Sequence, residues 1–211
     1  GLTNNDNTGT SFYVALPFTP NFVDLRPDTE GNYPQNPFER SNPLQTAALM
    51  ANDEDVWRFI GSLNANWEAI RADEHALQFN LIGGADYFEQ TNELFFPAEL
   101  QFEDLDGQPG TALLSNSNNL RFNIGGNAVH NYTASGGAWQ LTSSAGVQYS
   151  DDDLEIARIV SRNLIAGMPN VDAGTNVEIG EDRLRLKDMG IYLQEEGLAL
   201  DERLFVSAGI R

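Results

Sequence analysis

The sequence predicts an all-β chain: an antiparallel meander of about six long strands, forming an open segment of a transmembrane β-barrel with long extracellular loops. Three observations point there. Segments of ten to fourteen residues alternate apolar and polar positions, as in Trp57-Phe59-Gly61-Leu63-Ala65-Trp67 against Arg58-Ser62-Asn64-Asn66-Glu68. Successive side chains of a strand point to opposite faces, so such a segment has one greasy and one wet face. The links between segments alternate short and long, the pattern of a barrel with tight turns on one rim and long loops on the other. No run approaches the roughly 18 apolar residues of a helical span, a test that is blind to barrels because half of each barrel strand is polar.

Residues 1–56 lack a sustained period and are rich in Asn, Asp, Thr and Pro, including Pro17, Pro20, Pro27, Pro34, Pro37 and Pro43. Proline removes a backbone donor and resists central strands, so this is an extracellular loop region, with a short helical turn expected around Pro43–Met50. The first strand covers about 57–70 and the second about 76–89, joined by a short link at 71–75. In the second, Leu77, Phe79, Leu81, Gly83, Ala85 and Tyr87 share a face, Gln78, Asn80, Gly84 and Asp86 the other, and Ile82 breaks the pattern.

A long outer loop is expected over 90–118, then a third strand over about 119–133. There Leu120, Phe122, Ile124, Gly126, Ala128 and Tyr132 oppose Arg121, Asn123, Asn127 and Asn131. Ala134-Ser135-Gly136-Gly137 reads as a tight turn into a fourth strand over about 138–150. A second long outer loop spans 151–182. The fifth strand, about 183–196, has two competing parities, Met189-Ile191-Leu193 and Leu184-Leu186-Tyr192, which a β-bulge near Lys187-Asp188 would reconcile. The sixth begins near Arg203 and runs to Arg211, with Leu204, Val206, Ala208 and Ile210 outward.

Net charge is −19, from 31 acids against 12 Lys and Arg. Nucleic-acid binding needs clustered positive charge, so nucleic acid is not expected as a partner. The acids gather in the expected links, at Asp53-Glu54-Asp55, Asp73-Glu74, Glu103-Asp104-Asp106, Asp151-Asp152-Asp153, Glu181-Asp182 and Asp201-Glu202, and read as a solvated acidic surface. Asp104-Leu105-Asp106-Gly107 lacks the later ligands of a calcium loop. Absence of cysteine excludes disulfides, thiolate metal sites and Cys nucleophiles. Gly1-Leu2-Thr3-Asn4-Asn5 has neither the basic start nor the apolar core of a signal peptide, and the sixth strand runs into the last residue, so a fragment of a longer protein is expected.

Two stretches add a resemblance. Ile191-Tyr192-Leu193-Gln194-Glu195-Glu196, followed by Leu200-Asp201-Glu202-Arg203-Leu204-Phe205-Val206-Ser207-Ala208-Gly209-Ile210-Arg211, resembles a hairpin common in TonB-dependent receptors. Arg40-Ser41-Asn42-Pro43-Leu44, then Arg58-Phe59-Ile60-Gly61-Ser62, then Gly84-Ala85-Asp86-Tyr87-Phe88 is similar to the mid-barrel region of the SusC/RagA-like branch. The resemblance implies a bacterial outer-membrane barrel of 22 strands plugged by an N-terminal domain, energised through TonB and paired with a SusD-like lipoprotein that helps capture a glycan or peptide. Outer-membrane lipid and the remainder of the barrel and plug are then this chain's partners.

No catalytic constellation is legible, so an enzyme is not expected. His75 falls in an expected turn and His130 in a strand, and nothing selects a carboxylate pair. No cofactor and no metal site are expected. Substrate contacts are expected from lumen-facing Asn64, Asn66, Asn80, Asp86, Arg121, Asn123 and Asn127, with Phe95 and Phe96 as loop contacts. Trp57, Trp67, Tyr87, Tyr132, Trp139 and Tyr149, near the expected strand ends on the apolar faces, read as an aromatic girdle at the two membrane–water boundaries. The rival is a secreted soluble β-sandwich, a glycan-binding or adhesin module, in which two such apolar faces stack on each other.

Overall fold

The computed structural model describes residues 12–165, 168–201 and 203–211. Gly1–Asn5 and Glu202 lie outside the described residues, as does the side chain of Asp106. The elements are α1 (Phe12–Phe18), α2 (Pro43–Leu49), β1 (Ala51–Arg71), β2 (His75–Phe96), a 3₁₀ turn (Glu103–Asp106), β3 (Thr111–Thr133), β4 (Trp139–Leu164), β5 (Gly174–Ala199) and β6 (Leu204–Ile210). The six strands form one open sheet in the order β1-β2-β3-β4-β5-β6, an antiparallel meander in which each strand pairs with its sequence neighbours.

The strands are longer than the sequence pattern indicates. The stretch 90–118, expected as a long loop, holds the last turns of β2 and the start of β3, and 151–182 holds the end of β4 and the start of β5. Polar cross-strand pairs join these extensions, as where Thr91 Oγ1 donates to Asn116 Oδ1 at 2.9 Å and Asn163 Nδ2 to Thr175 Oγ1 at 2.7 Å. The acidic runs at 53–55, 151–153 and 181–182 accordingly lie in strands, not in links. Residues 12–18, expected as loop, form α1.

Tight turns close three hairpins. The Ala72 amide donates to the His75 carbonyl at 2.8 Å, and the Arg203 amide to the Leu200 carbonyl at 3.2 Å. Between β3 and β4 the Ala134 amide donates to the Trp139 carbonyl at 3.0 Å, with Gly136 at φ 86° and Gly137 at φ 74°. Two successive residues at positive φ explain why this turn is built from glycine.

The chain divides into two compact units. The first comprises Gly1–Trp57, Glu89–Ser117 and Ile156–Asp182, and contains Ala15, Leu25, Leu100, Phe102, Ala112 and Ala173 as buried apolar residues. Its polar hub is Asn42. The Asn42 side chain caps α2 by accepting from the Leu44 and Gln45 amides, and its Nδ2 donates to the carbonyls of Leu25 and Pro34, both at 2.9 Å. On the exposed part of this unit, Arg26 pairs with Asp24 at 2.8 Å and its hydrogen bonds hold the Asp24 carboxyl down at about 2.

The second unit comprises Arg58–Phe88, Asn118–Glu155 and Arg183–Arg211. Among its described residues none of the apolar side chains is buried. Trp67, Ile191, Leu193 and Ile210 are each more than half exposed.

Candidate functional site

Cross-strand contacts in the second unit fix which side chains share a face. The β5–β6 register pairs Leu193 with Ile210, Glu195 with Ala208 and Gly197 with Val206, so Leu193 shares a face with the outward row of β6. Between β4 and β5, the Tyr192 ring lies over Gly146, Gln148 lies beside Gly190 and Leu141 beside Gly197. Arg185 also meets Asp153 at 3.5 Å and Arg183 meets Glu155 at 3.9 Å. Each contact is reached from the last by equal steps along both strands. The register is therefore unbroken, and the bulge expected near Lys187-Asp188 is absent. Both parities are real: Met189, Ile191 and Leu193 belong to the apolar face, and Tyr192, with Leu184 and Leu186 in step, to the other.

The apolar face changes character sharply along β4 and β5. Leu141, Ala145, Val147 and Tyr149 give way to Asp151, Asp153 and Glu155. Opposite them, Leu193, Ile191 and Met189 give way to Lys187, Arg185 and Arg183. Arg185 reaches Asp151 at 2.9 Å and Lys187 reaches it at 3.5 Å, with the Tyr149 hydroxyl donating to the same carboxylate at 3.1 Å.

The polar face gathers amides. Asn64, Asn66, Asn80, Asn127, Gln148 and Tyr192 line one concavity of about 340 Å³, with Ile82 and Gly125 in its wall. Glycines make the space. A Cβ at Gly146 would overlap the Tyr192 ring, whose hydroxyl accepts from Asn127 Nδ2 at 3.1 Å. Ile82, the exception to alternation, packs beside Gly125, a position without a side chain. Gly146→Ala is expected to displace the Tyr192 ring and cost about 1 kcal/mol through the lost Asn127 hydrogen bond. Tyr192→Ala combined with Gly146→Ala is expected to show less than the sum of the single effects, read as a double-mutant cycle from unfolding midpoints.

Of the residues expected to contact substrate, the structure brings Asn64, Asn66, Asn80 and Asn127 together. Asn123 instead lies over Gly84, where a Cβ would stand 2.7 Å from its Oδ1. Asp86 and Arg121 are engaged in ion pairs: Arg58 binds Asp86 through two bonds of 2.9 and 2.6 Å, and Arg121 Nε meets Asp152 at 2.8 Å. Phe95 and Phe96 are not loop residues. They end β2, and Phe96 packs edge-on against Phe102 with centroids 5.4 Å apart. The concavity offers uncharged donors and acceptors and one aromatic ring, suited to orienting a neutral polar group and not to proton transfer.

Among the girdle residues, Tyr132 and Trp139 flank the β3–β4 turn with rings 5.0 Å apart, and Trp67 stacks on Phe79 at 5.5 Å near the end of β1. Trp57, Tyr87 and Tyr149 lie well inside their strands, because β1, β2 and β4 continue beyond the expected ends. Two residues set apart in the sequence reading also meet: His75 Nδ1 and His130 Nε2 are 3.1 Å apart, with the His75 ring 4.7 Å from Tyr132. A scan against protein-family models finds no match for this chain, and a search of curated proteins finds none either.

Proposed function

We propose that this chain is part of a bacterial outer-membrane β-barrel transporter of the TonB-dependent, SusC/RagA-like type, importing a bulky nutrient such as a glycan or peptide. The observation that carries the reading is the sorting of the second unit's sheet. One face is predominantly apolar, interrupted by His75, His130, Ser143 and Glu195, the other is amide-rich, and no apolar side chain among its described residues is buried. Water makes exposed apolar patches of this extent unfavourable, whereas a bilayer is their natural solvent.

Depth adds support. On β4 the apolar face is bracketed by Trp139 and Tyr149 and turns ionic at Asp151, a span matching the roughly 9–11 residues with which a tilted strand crosses the hydrocarbon layer. The strand portions beyond Tyr149 then stand outside the membrane, and Trp57, Tyr87 and Tyr149 mark its outer boundary within longer strands. The short turns face the periplasm. The amide-lined concavity faces the lumen, where it contacts substrate or plug. Outer-membrane lipid, the rest of the barrel and plug, TonB and a SusD-like lipoprotein are the partners this assignment brings. The rival sandwich needs a second sheet over the apolar face, and the described strands form one sheet.

The test is folding into lipid. Diluted from urea into liposomes as part of its whole barrel, the chain is expected to acquire β-structure and protease protection of the segments 58–70 and 139–149. A monomer that folds in aqueous buffer without detergent or lipid, and ignores added liposomes, would overturn the assignment.

A further inference from the structure

We infer that the apolar face carries a binding site for a phospholipid with a primary-ammonium headgroup, its ammonium held by Glu195 and its phosphate by His130 and Ser143. The inference rests on the membrane location proposed above. Three observations carry it.

The first is an unpaired charge. Glu195 stands on the apolar face between Leu193 and Gly197 of β5, opposite Ala208 of β6. It is exposed and has no hydrogen-bond or ion-pair partner among the described residues. An ionisable side chain at membrane depth is costly unless paired, so it marks a site whose partner carries the opposite charge. Glu195 lies four residues before Ala199, the end of β5. On a strand tilted about 45° that is roughly 9 Å from the short-turn rim, the side on which headgroups lie.

The second is shape. Glu195, His130 and Ser143 line one concavity of about 650 Å³, together with Ala128 and Ala145. Another, of about 620 Å³, shares Ala128, Ala145 and Leu193 with it and continues past Gly126 and Val147 to the stacked rings of Trp67 and Phe79. The two make one trough, polar toward the short turns and apolar along the rest. Small side chains on β3 and β4 form its floor, between larger ones on β2 and β5. Ser143 to Val147 spans about 13 Å of strand, room for a stretch of acyl chain.

The third is chemical. Stepping from the Ala134–Trp139 turn contact sets His130 opposite Ser143, and stepping from Tyr192 over Gly146 sets Ser143 opposite Glu195. Two strand spacings put His130 and Glu195 roughly 10 Å apart at the backbone, with the small Ser143 between them. His130 Nε2 is engaged with His75 Nδ1 at 3.1 Å. When His75 donates that bond, His130 carries its own proton on Nδ1 and offers it as a donor. An ethanolamine phosphate matches this row: its phosphate accepts from the imidazole and the hydroxyl, and its ammonium, two carbons away, donates to the carboxylate. Apolar contact cannot select one lipid from another, because bilayer chains are as apolar as the trough. Selection therefore falls to Glu195, which needs a cation with N–H donors. A choline head has the charge without the donors, and a glycerol head has neither.

Lipid competition on the whole barrel tests it. The barrel in detergent is offered equal amounts of phosphatidylethanolamine, phosphatidylcholine and phosphatidylglycerol, and the retained lipid is counted by native mass spectrometry. One phosphatidylethanolamine per barrel is expected, favoured about fivefold or more over either rival. Glu195→Gln keeps the shape and removes the charge, and is expected to bring the ethanolamine lipid down to the level of the choline lipid. His130→Ala is expected to lower retention of all three, which share the phosphate. Equal retention by the unaltered barrel, a preference for phosphatidylglycerol, or a preference that persists in Glu195→Gln would each overturn the site. Insertion into phosphatidylcholine liposomes, measured for every variant, shows that each one folds. It also separates the two readings: a barrel that inserts without lipid preference overturns the site alone, and one that fails to insert overturns the membrane location with it.

Discussion

Ala145→Arg is expected to destabilise the chain in a bilayer by about 2–4 kcal/mol, the cost of an arginine on the lipid face near the membrane midplane. Ala145 lies on the apolar face of β4 midway between Trp139 and Tyr149, and it is exposed, so the longer side chain meets no steric obstacle. In a water-soluble protein a substitution at such a site stays within about 0.5 kcal/mol. The two environments thus predict effects several-fold apart from one residue. Gln140→Arg, on the opposite face of the same strand, is expected to cost little in either. Urea unfolding of the whole barrel in liposomes measures both. An equal and small effect for the two would remove the support that the sorted faces give to a membrane location.

Asn42→Ala is expected to cost about 2–4 kcal/mol within the first unit. Asn42 is fully buried and its single side chain makes four hydrogen bonds. Loss of the α2 cap accounts for about 1 kcal/mol. The Pro34 carbonyl keeps a partner in Gln101 Nε2 at 2.8 Å, but the Leu25 carbonyl loses Asn42 as its donor, at about 1–3 kcal/mol. Asn42→Ser restores an acceptor for the α2 amides without reaching Leu25, so it is expected to recover about 1 kcal/mol and no more. Native-state amide exchange over residues 25–49 reads these values directly. Equal losses for the two variants would mean that the cap contributes nothing.

The strand middles were legible because a half-buried or lipid-facing strand must alternate, and Trp57 to Trp67 or Leu120 to Ala128 do so. The strand ends were not. Beyond Tyr87 and Tyr149 the alternation breaks down and polar contacts such as Thr91 to Asn116 join the strands, so these stretches read as loops. In β5 the two parities concealed each other: the cations Arg183, Arg185 and Lys187 continue the face of Met189, while Leu184 and Leu186 continue the face of Tyr192. Four asparagines of the concavity were identified by alternation alone. The roles of Asn123, Asp86 and Arg121 needed the cross-strand register, because only it shows which partner each side chain has. The meeting of His75 with His130 was hidden for the same reason, since the two lie on either side of a segment whose pairing the sequence does not reveal.

The meander has a consequence for how the sheet assembles. Every strand joins the one before it, so no strand waits for a distant part of the chain, and three of the five connections are short turns, near residues 72–74, 134–138 and 200–203. Closing so short a loop takes tens of nanoseconds and a hairpin forms within microseconds. Pairing can then travel outward from each turn like a zip, each rung adding little further loop entropy. The β2–β3 pair, where Thr91 meets Asn116, closes instead through the longer connection between Phe96 and Thr111. In the unfolded chain the first steps therefore belong to the three short turns, and a substitution at Gly136 or Gly137 slows them.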